Sequence, residues 1–329
     1  ATQKVMVGNT KVSPIKMKVS VILPNYNHEP FLKRRVDTIL YQTFQDFELI
    51  ILDDCSTDNS RSIIETYRHH QKVSGIYYNT KNSGSSFKQW NKGIGLAKGE
   101  WVWIAESDDW CENNFLHELI VGVQANDNTV LAFAQSYCMD DNGNIKWKSE
   151  YNGETFVNGK QFFKERLVYG CTLFNASMAI FKRDAGLRVP QHFATFKQCG
   201  DWYFWIHIVQ YGNVFISNKL LNYYRNTEQS LTAKQYATGY NFIEEVNMFG
   251  LLRKEQKEHV SFIYNSVFNR YNSFIRRKDK FSAIEKYKVT NAFKDFFGGR
   301  FSFYLFLLKK RMQLLFKKIY LRLKVFTVI

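Results

Sequence analysis

Short apolar runs alternate with longer segments of helical periodicity in the first part of the chain. The runs predict four buried strands, at Val19–Leu23, Phe47–Leu52, Ile76–Tyr78 and Trp101–Ala105. The longest segments between them, Pro30–Tyr41 and Phe87–Ala97, place apolar residues at helical spacing. Strands and helices that alternate in this order predict an α/β fold, in which helices cover both faces of a mostly parallel sheet.

The pattern changes twice further along the chain. Beyond a predicted helix at Glu112–Gln124 it becomes mixed and rich in aromatic residues up to Thr232, and from Lys234 onward it is mostly helical. Residues 1–16 show little periodicity. We therefore expect a leading arm or cloning remnant (1–16), an α/β domain (17–232) and a helical C-terminal region (233–329).

Composition narrows the class of protein. The 329 residues are 45% apolar and 23% charged, which is typical of a globular chain and excludes a disordered or collagen-like one. The five cysteines form no CxxC pair, no apolar stretch reaches the ~20 residues that a spanning helix needs, and residues 1–16 contain no signal-peptide core. These features favour a cytoplasmic protein.

Three polar clusters follow predicted strands: Pro24–His28, Asp53-Asp54 and Glu106–Asp109. Because ligands of such sheets bind beyond the carboxyl ends of the strands, we expect the three clusters to meet at one edge. Alternate carboxylates in Glu106–Asp109 suit a hard divalent cation, although a solvated acidic turn is an alternative. Asp53 and Asp54 suit a ribose or base contact, or else an Asx turn.

Several ordered motifs resemble the family 2 glycosyltransferases of the GT-A fold. They are Val19–Asn27, Gln42-Thr43-Phe44, Phe47–Asp58, Asn82-Ser83-Gly84, Asn91–Ile94, Lys98-Gly99-Glu100 and Glu106–Asp109. The resemblance implies inverting transfer of a sugar from a nucleoside diphosphate donor, most often UDP, to an acceptor hydroxyl. It also implies that residues 17–110 form the nucleotide-binding half and residues 111–232 the acceptor half of a catalytic domain.

The resemblance further implies a set of binding residues. The nucleotide-binding residues would be Pro24, Tyr26, Asn27, Asp53, Asp54, Asn82, Gly84, Asn91, Ser107 and Arg225. Asp108 would be the principal ligand of Mg²⁺ or Mn²⁺, with Glu106 and Asp109 beside it. Glu106 stands where the family usually has Asp. For Arg225, an ordinary surface position is the alternative.

Gly200–Trp205 resembles the family element that carries the catalytic base. An inverting displacement needs one group to take the proton of the acceptor hydroxyl, and Asp201 would be that base. The alternative is an aspartate that caps an aromatic core helix. Trp202 and Trp205 could flank an acceptor sugar, or pack in the core because of their i, i+3 spacing.

The C-terminal segment carries much of the net charge of +15. Eight cations and no acid lie between Arg300 and Ile329. On a helix over Leu305–Phe326 most of them fall on one arc, opposite Leu308, Met312 and Leu315. This pattern favours the surface of an anionic membrane, on its inner face. Packing on the catalytic domain or on a second subunit stays open, whereas no nucleic-acid-binding motif is present.

The sequence therefore predicts a metal-dependent inverting glycosyltransferase that takes a saccharide or lipid-linked acceptor in the synthesis of a cell-surface polysaccharide, lipopolysaccharide or glycolipid. Two alternatives remain. One is a non-catalytic peripheral membrane or scaffold protein that retains the fold, which has no chemical need for Asp54, Asp108 and Asp201 together. The other is a different nucleotide-diphosphate enzyme, such as a nucleotidyltransferase.

Overall fold

A computed structural model describes residues 19–153, 155–226 and 231–326, with the side chains of 231–234 and 317–326 left out. The expected leading arm, 1–16, lies outside these residues. The strands are β1 (Val19–Asn25), β2 (Phe47–Asp53), β3 (Val73–Tyr78), β4 (Trp101–Ile104), β5 (Trp110–Cys111), β6 (Thr129–Met139), β7 (Ile145–Lys148), β8 (Phe156–Asn158), β9 (Ala179–Lys182) and β10 (Asn213–Arg225).

Helices separate most of these strands and make up the C-terminal region. They are α1 (Glu29–Leu40), α2 (Ser60–Thr66), α3 (Ser86–Leu96), α4 (Phe115–Gln124), α5 (Gly159–Phe162), α6 (Arg183–Leu187), α7 (Gly200–Ile208), α8 (Leu231–Thr238), α9 (Tyr240–Glu255), α10 (Val260–Arg277), α11 (Ala283–Phe296) and α12 (Arg300–Phe326). Pro30 lies in the first turn of α1, where its missing N–H costs nothing. The predicted helical region is confirmed by α8 to α12.

The strands form one mixed sheet. Its order is β3-β2-β1-β4-β9-β6-β10-β5, with β7 paired to β6 and β8 to β10. The β3-β2-β1-β4 half is parallel, as expected, and β10 runs parallel to β6. Because β9 enters between β4 and β6 in the opposite direction, the second half is mixed. The predicted α/β fold is confirmed, and its parallel character belongs mainly to the nucleotide-facing half.

Two hydrophobic cores lie on the two faces of the sheet. One packs α1 and α4 against β1, β2 and β4, and includes Val21, Leu32 and Trp103. The other continues from α3 and α7 into the C-terminal helices, and includes Trp90, Trp205 and Phe249. The helical C-terminal region therefore shares a core with the sheet. No helix in the described part of the chain is both long and apolar enough to cross a bilayer.

Candidate functional site

The carboxyl ends of β1, β2 and β4 surround a cavity of about 450 Å³, hereafter the donor cavity. It is lined by Pro24, Asn25, Tyr26, His28, Asp54, Asn82, Gly84, Ser85, Ser86, Gln89, Glu106 and Ser107. The structure thus brings together residues of all three polar clusters, as the topology of a parallel sheet requires. Asn91 is different, because it lies on the exposed side of α3 and does not line this cavity.

Asp54 is the most heavily bonded carboxylate in the donor cavity. It accepts hydrogen bonds from Asn79 Nδ2 (2.6 Å), from the backbone N–H and hydroxyl of Ser83 (2.9 and 2.7 Å), and from Gln89 Nε2 (2.9 Å). The carboxylate thereby fixes the loop before α3, where Gly84 adopts a positive φ of 73° that favours glycine.

Asp53 joins the loops that follow β1 and β2 to each other. Its carboxylate accepts from Asn25 Nδ2 (2.9 Å) and from the N–H and hydroxyl of Ser56 (3.0 and 2.6 Å). Asn27 adds a second contact between the loops after β1 and β2, because its Oδ1 accepts a hydrogen bond from the Thr57 N–H at 2.7 Å. Asn27 and Cys55 are the two non-glycine residues with positive φ in the described ranges, so backbone strain concentrates on these loops.

The acid cluster Glu106–Asp109 is held by partners on three sides. Trp90 donates its indole N–H to Glu106 Oε1 at 2.7 Å. Asp109 accepts from Asn175 Nδ2 (2.6 Å) and from the Arg225 N–H (3.1 Å). Asp108 is less engaged, since its carboxylate accepts no hydrogen bond from any described residue.

Burial and mutual repulsion set the charge state of this cluster. Burial raises the pKa of Glu106 to about 8, and the nearby Asp108 carboxylate adds to the rise. Burial and Asp108 likewise raise the pKa of Asp109 to about 7. Arg35 opposes both shifts: it is fully buried, and its guanidinium lies 4.9 Å from the Trp103 ring centre. A positive charge near these carboxylates is therefore favourable.

Two residues near the cluster were not predicted as site residues. His28 Nδ1 lies 2.7 Å from Ser107 Oγ and joins the first strand loop to the acid cluster. Arg35 lies among Leu32, Val36 and Ile39 on the buried side of α1. The sequence alone could have indicated Arg35, because it places a cation within the apolar stripe of a predicted helix. Burial of an unpaired arginine costs free energy, so such a position usually has a functional or structural partner.

Arg225 lies at the end of β10, next to the acid cluster. Its guanidinium carbon is 4.2 Å from the ring centre of Phe31 and 5.3 Å from that of Trp110. Its Nε donates to the carbonyl oxygen of Asp108 at 3.3 Å. The stacked, half-buried position differs from that of an ordinary surface arginine, and keeps the guanidinium beside the cluster.

Asp201 lines a second cavity of about 340 Å³, hereafter the base cavity. The lining residues are Gly170, Cys171, Leu173, Phe174, Gln198, Cys199, Asp201, Trp202, Tyr224, Tyr236, Glu245 and Arg270. Three of them, Tyr236, Glu245 and Arg270, belong to the C-terminal helices, so the cavity crosses the domain boundary drawn from the sequence. Arg270 Nε lies 3.0 Å from Glu245 Oε2, and its guanidinium carbon 5.0 Å from the Trp202 ring centre.

The electrostatics of the base cavity favour proton transfer near neutral pH. Burial raises the pKa of Asp201 to about 7, although the Trp202 N–H donates to its Oδ1 at 2.7 Å. Tyr224 connects this cavity with the acid cluster. Burial raises the pKa of its phenol, and the carboxylates of Asp109, Asp108 and Asp201 all add to that rise.

The two tryptophans of α7 have different surroundings. Trp202 lines the base cavity and donates its indole N–H to the Leu167 carbonyl at 2.6 Å. Trp205 is fully buried, and its ring packs against Trp90, Phe181 and Phe204. The prediction that Trp205 contacts an acceptor is therefore wrong, because α7 turns that side chain toward the sheet and leaves none of its surface accessible.

Comparison with known proteins places this geometry in a family. The family model described as "Glycosyl transferase family 2" matches residues 20–186, which is half of the chain. The chain belongs to glycosyltransferase family 2. The matched range contains β1 to β9 and every strand end that lines the donor cavity.

Individual relatives of this family 2 chain agree with that assignment. A Streptococcus pneumoniae protein named glycosyltransferase GlyG is 33% identical over 51% of this chain and 50% of its own length. The Staphylococcus aureus protein named poly(ribitol-phosphate) β-N-acetylglucosaminyltransferase TarS is 26% identical over 85% of this chain and 49% of its own length. The chain thus spans about half the length of these two curated relatives.

A solved structure shows the same fold. The crystal structure of residues 1–349 of S. aureus TarS in complex with UDP-GlcNAc aligns with a TM-score of 0.67 at 24% identity. The alignment covers 85% of this chain and 81% of that one, so it extends into the helical C-terminal region. The GT-A fold with a helical extension is therefore confirmed.

Proposed function

We propose that this chain is an inverting glycosyltransferase that moves a sugar from a UDP-sugar to a hydroxyl group of a cell-surface polysaccharide, lipopolysaccharide or glycolipid. The observation that carries the proposal is the donor cavity, in which the family motifs at the ends of β1, β2 and β4 face one another. The complex of TarS with UDP-GlcNAc supports UDP as the nucleotide. Relatives named for poly(ribitol-phosphate) and teichuronic acid support a cell-surface polymer as the acceptor.

The donor cavity offers one group for each part of a nucleotide. The Tyr26 side chain is 45% exposed at the cavity and can stack on a base. Asp54 and the Asn82–Gly84 loop supply polar groups for the base edge or the ribose. Arg225 is placed to bind a diphosphate oxygen, because its guanidinium lies beside the acid cluster.

The acid cluster fits a divalent cation that is shared with the donor. No group of three or more ligating side chains is present among the described residues. Mg²⁺, however, is commonly held by one or two carboxylates together with substrate phosphates. Asp108 would hold it, with Glu106 beside it, whereas Asp109 is committed to Asn175 and Arg225. When bound, Mg²⁺ or Mn²⁺ would neutralise charge on the leaving diphosphate.

Asp201 takes the proton of the acceptor hydroxyl. The oxygen then attacks the anomeric carbon from the face opposite the leaving nucleotide, which inverts the configuration. A carboxyl group with a pKa of about 7 is a stronger base than an ordinary aspartate, and about half of such groups are ionised at pH 7. Phe174, Trp202 and Tyr224 give the base cavity aromatic walls on which the C–H face of a sugar or polyol can pack.

The last helix supports a location at a membrane surface. Phe303 and Leu307 on one side of α12 are buried, and Lys310 donates to Asn265 Oδ1 of α10 at 2.6 Å. The opposite side exposes an apolar stripe that covers about 120° of the helix at ~100° per residue. The α12 stripe comprises Phe301, Tyr304, Leu305, Leu308, Met312, Leu315 and Phe316.

Exposed cations border the α12 stripe. Arg300 and Arg311 lie at one edge and Lys309 at the other, and the side chains from Lys317 onward lie outside the described residues. Apolar residues between cations suit the interface of a bilayer with anionic headgroups. We infer that α12 holds the enzyme at the inner face of the cell membrane, where a lipid-linked acceptor would be found.

Calorimetric titration tests the donor assignment. The protein is titrated with UDP, GDP and TDP, each with Mn²⁺ and with EDTA, and the same is done with the Asp108→Ala and Asn91→Ala variants. We expect Mn²⁺-dependent binding of UDP that Asp108→Ala loses. Asn91→Ala is the matched control, because Asn91 lies outside the donor cavity.

The remaining outcomes separate the other functions. Folded protein that binds none of the three diphosphates would be a scaffold that retains the fold. Release of pyrophosphate from a nucleoside triphosphate and a sugar phosphate would identify a nucleotidyltransferase. Release of UDP from UDP-N-acetylglucosamine or UDP-glucose, stimulated by poly(ribitol phosphate), would establish transfer and name the donor.

A further inference from the structure

Helix α9 of the C-terminal region holds helix α7, which begins next to Asp201, at two points. Glu244 accepts three backbone hydrogen bonds, from the N–H groups of Lys197 (2.7 Å), Gln198 (2.6 Å) and Cys199 (2.9 Å). Eleven residues further along α9, Glu255 accepts from Tyr203 Oη at 2.7 Å. The first contact lies immediately before Asp201 in the chain, and the second lies further along α7.

The start of α7 depends on this external carboxylate. Its N-cap residue is Cys199, whose side chain makes no capping hydrogen bond to the helix. The free N–H groups at a helix start need acceptors and favour negative charge. Glu244 brings a carboxylate to this end of the helix and accepts from the N-cap N–H of Cys199 and from the two N–H groups before it. Because Glu244 is 5% exposed, water competes little for these bonds.

The segment has no room to move toward α3 or toward Phe193. A Cβ atom on Gly200 would overlap the Phe87 ring of α3 and the carbonyl oxygen of Phe193. Asp201 is therefore placed by close packing from one side and by the Glu244 carboxylate from the other. A change on either side shifts the start of α7 and the carboxyl group that it carries into the base cavity.

We propose that Glu244 is a positioning residue that places Asp201 for proton transfer, so that the helical C-terminal region forms part of the active site. The inference rests on the proposed role of Asp201 as the base. A base must lie within hydrogen-bond reach of the acceptor hydroxyl, and a displacement of about 1 Å can cost roughly 100-fold in rate. Donor binding depends on the other cavity and does not need Glu244.

The test compares Glu244→Ala and Glu244→Gln with Glu285→Ala. Glu285 is the matched control, because it also accepts a backbone hydrogen bond in the C-terminal region, from the Ser282 N–H at 2.8 Å, but at the start of α11. The affinity for UDP is measured by calorimetry. The turnover number is measured as UDP release from UDP-N-acetylglucosamine with poly(ribitol phosphate) as acceptor.

We expect Glu244→Ala to lower turnover about 100-fold while the Kd for UDP changes less than threefold. Glu244→Gln keeps one oxygen acceptor and should recover part of the loss, to about tenfold below wild type. Glu285→Ala should keep turnover within twofold. Glu244→Ala turnover within threefold of wild type would overturn the proposal, and so would turnover and UDP binding that fall in the same proportion.

Two further measurements keep the outcomes distinct. Asp201→Asn is assayed in parallel: if it turns over at the wild-type rate, the role of Asp201 fails, and if it is inactive while Glu244→Ala is active, only the role of Glu244 fails. Hydrogen exchange of the Lys197, Gln198 and Cys199 amides is measured in Glu244→Gln, the variant that most closely preserves the fold. Faster exchange confined to these amides is expected, and unchanged protection would contradict the proposal.

Discussion

Trp90 donates its indole N–H to the Glu106 carboxylate at 2.7 Å. The Trp90 ring is 2% exposed and makes an edge contact with Phe204 of α7, at 5.9 Å between ring centres. One hydrogen bond therefore connects the acid cluster to the hydrophobic core that α3 shares with α7. Side chains that take no part in donor binding thus fix the position of Glu106.

Replacing Trp90 with phenylalanine should weaken metal-dependent donor binding. The variant leaves the Glu106 carboxyl group buried without its donor, and a buried polar group that loses its hydrogen-bond partner costs about 1–3 kcal/mol. We expect the Kd for UDP with Mn²⁺ to rise about tenfold by calorimetry. Trp101→Phe is the control, because the Trp101 indole N–H has no acceptor among the described residues; equal effects of the two variants would refute this role of the bond.

Much of the nucleotide-binding half could be predicted from the sequence, because its signals are local. Apolar runs that end in Pro24, Asp53 and Glu106 identify parallel strands whose ends must meet at one edge. The order in which the strands of the second half of the sheet pair could not be predicted in this way. Strand β9 lies between β4 and β6, and this order depends on contacts between distant segments that periodicity does not record.

The contribution of the C-terminal helices to the site was missed for a similar reason. Glu244 and Glu245 are adjacent acids on a helix, a pattern that usually marks a solvated face, yet both are buried. Only the tertiary structure shows that one caps the start of α7 and the other pairs with Arg270. Trp205 is the opposite case, because the sequence predicted an acceptor contact and the structure buries the side chain. A family motif alone does not indicate which side of an aromatic helix faces the core.

The neighbouring carboxylates Asp53 and Asp54 should respond differently to the same change. Asp54→Asn removes the charge that organises Ser83 and Gln89 in the donor cavity, and we expect the Kd for UDP to rise at least tenfold. Asp53→Asn disrupts bonds to Asn25 and Ser56 within the loops. It should lower the free energy of unfolding by about 1–3 kcal/mol and change the Kd less than threefold. Chemical denaturation and calorimetry together check both outcomes.

The rate of transfer should depend on pH through Asp201. As the proposed base, Asp201 must be ionised, and its pKa is about 7, so turnover at saturating donor and acceptor should rise with pH and level off above about pH 8. At pH 6 about a tenth of the carboxyl groups are ionised, which predicts about tenfold lower turnover. A profile with a midpoint near pH 4 would show that no carboxyl group with a raised pKa limits the rate.

The raised pKa of Asp201 also makes the stability of the fold depend on pH, in the direction opposite to that of turnover. The pKa of Asp201 is raised on folding, so the folded state binds more protons than the unfolded state between about pH 4 and pH 7. This carboxyl group therefore makes the free energy of unfolding fall as pH rises through that range. Asp201→Asn removes the effect, and we expect the variant to be inactive yet more stable than wild type at pH 8, as measured by urea denaturation at pH 4 and pH 8.

The α12 stripe should determine vesicle binding. Leu308 and Leu315 are 56% and 58% exposed on it, and each buried leucine contributes up to about 1.5–3 kcal/mol to membrane binding. We expect Leu308→Ser with Leu315→Ser to lower binding to phosphatidylglycerol vesicles at least tenfold in a sedimentation assay. Binding to phosphatidylcholine vesicles should be weak for wild type, and added salt should weaken binding to anionic vesicles, because the bordering cations contribute electrostatically.

Ile284 and Tyr287 supply the control for this experiment. They are exposed apolar residues of α11, outside the α12 stripe, and Ile284→Ser with Tyr287→Ser should leave vesicle binding unchanged. If the stripe variant instead leaves vesicle binding intact and converts a dimer into a monomer in sedimentation velocity, the stripe is a subunit interface. In that case the enzyme would reach a lipid-linked acceptor without using α12.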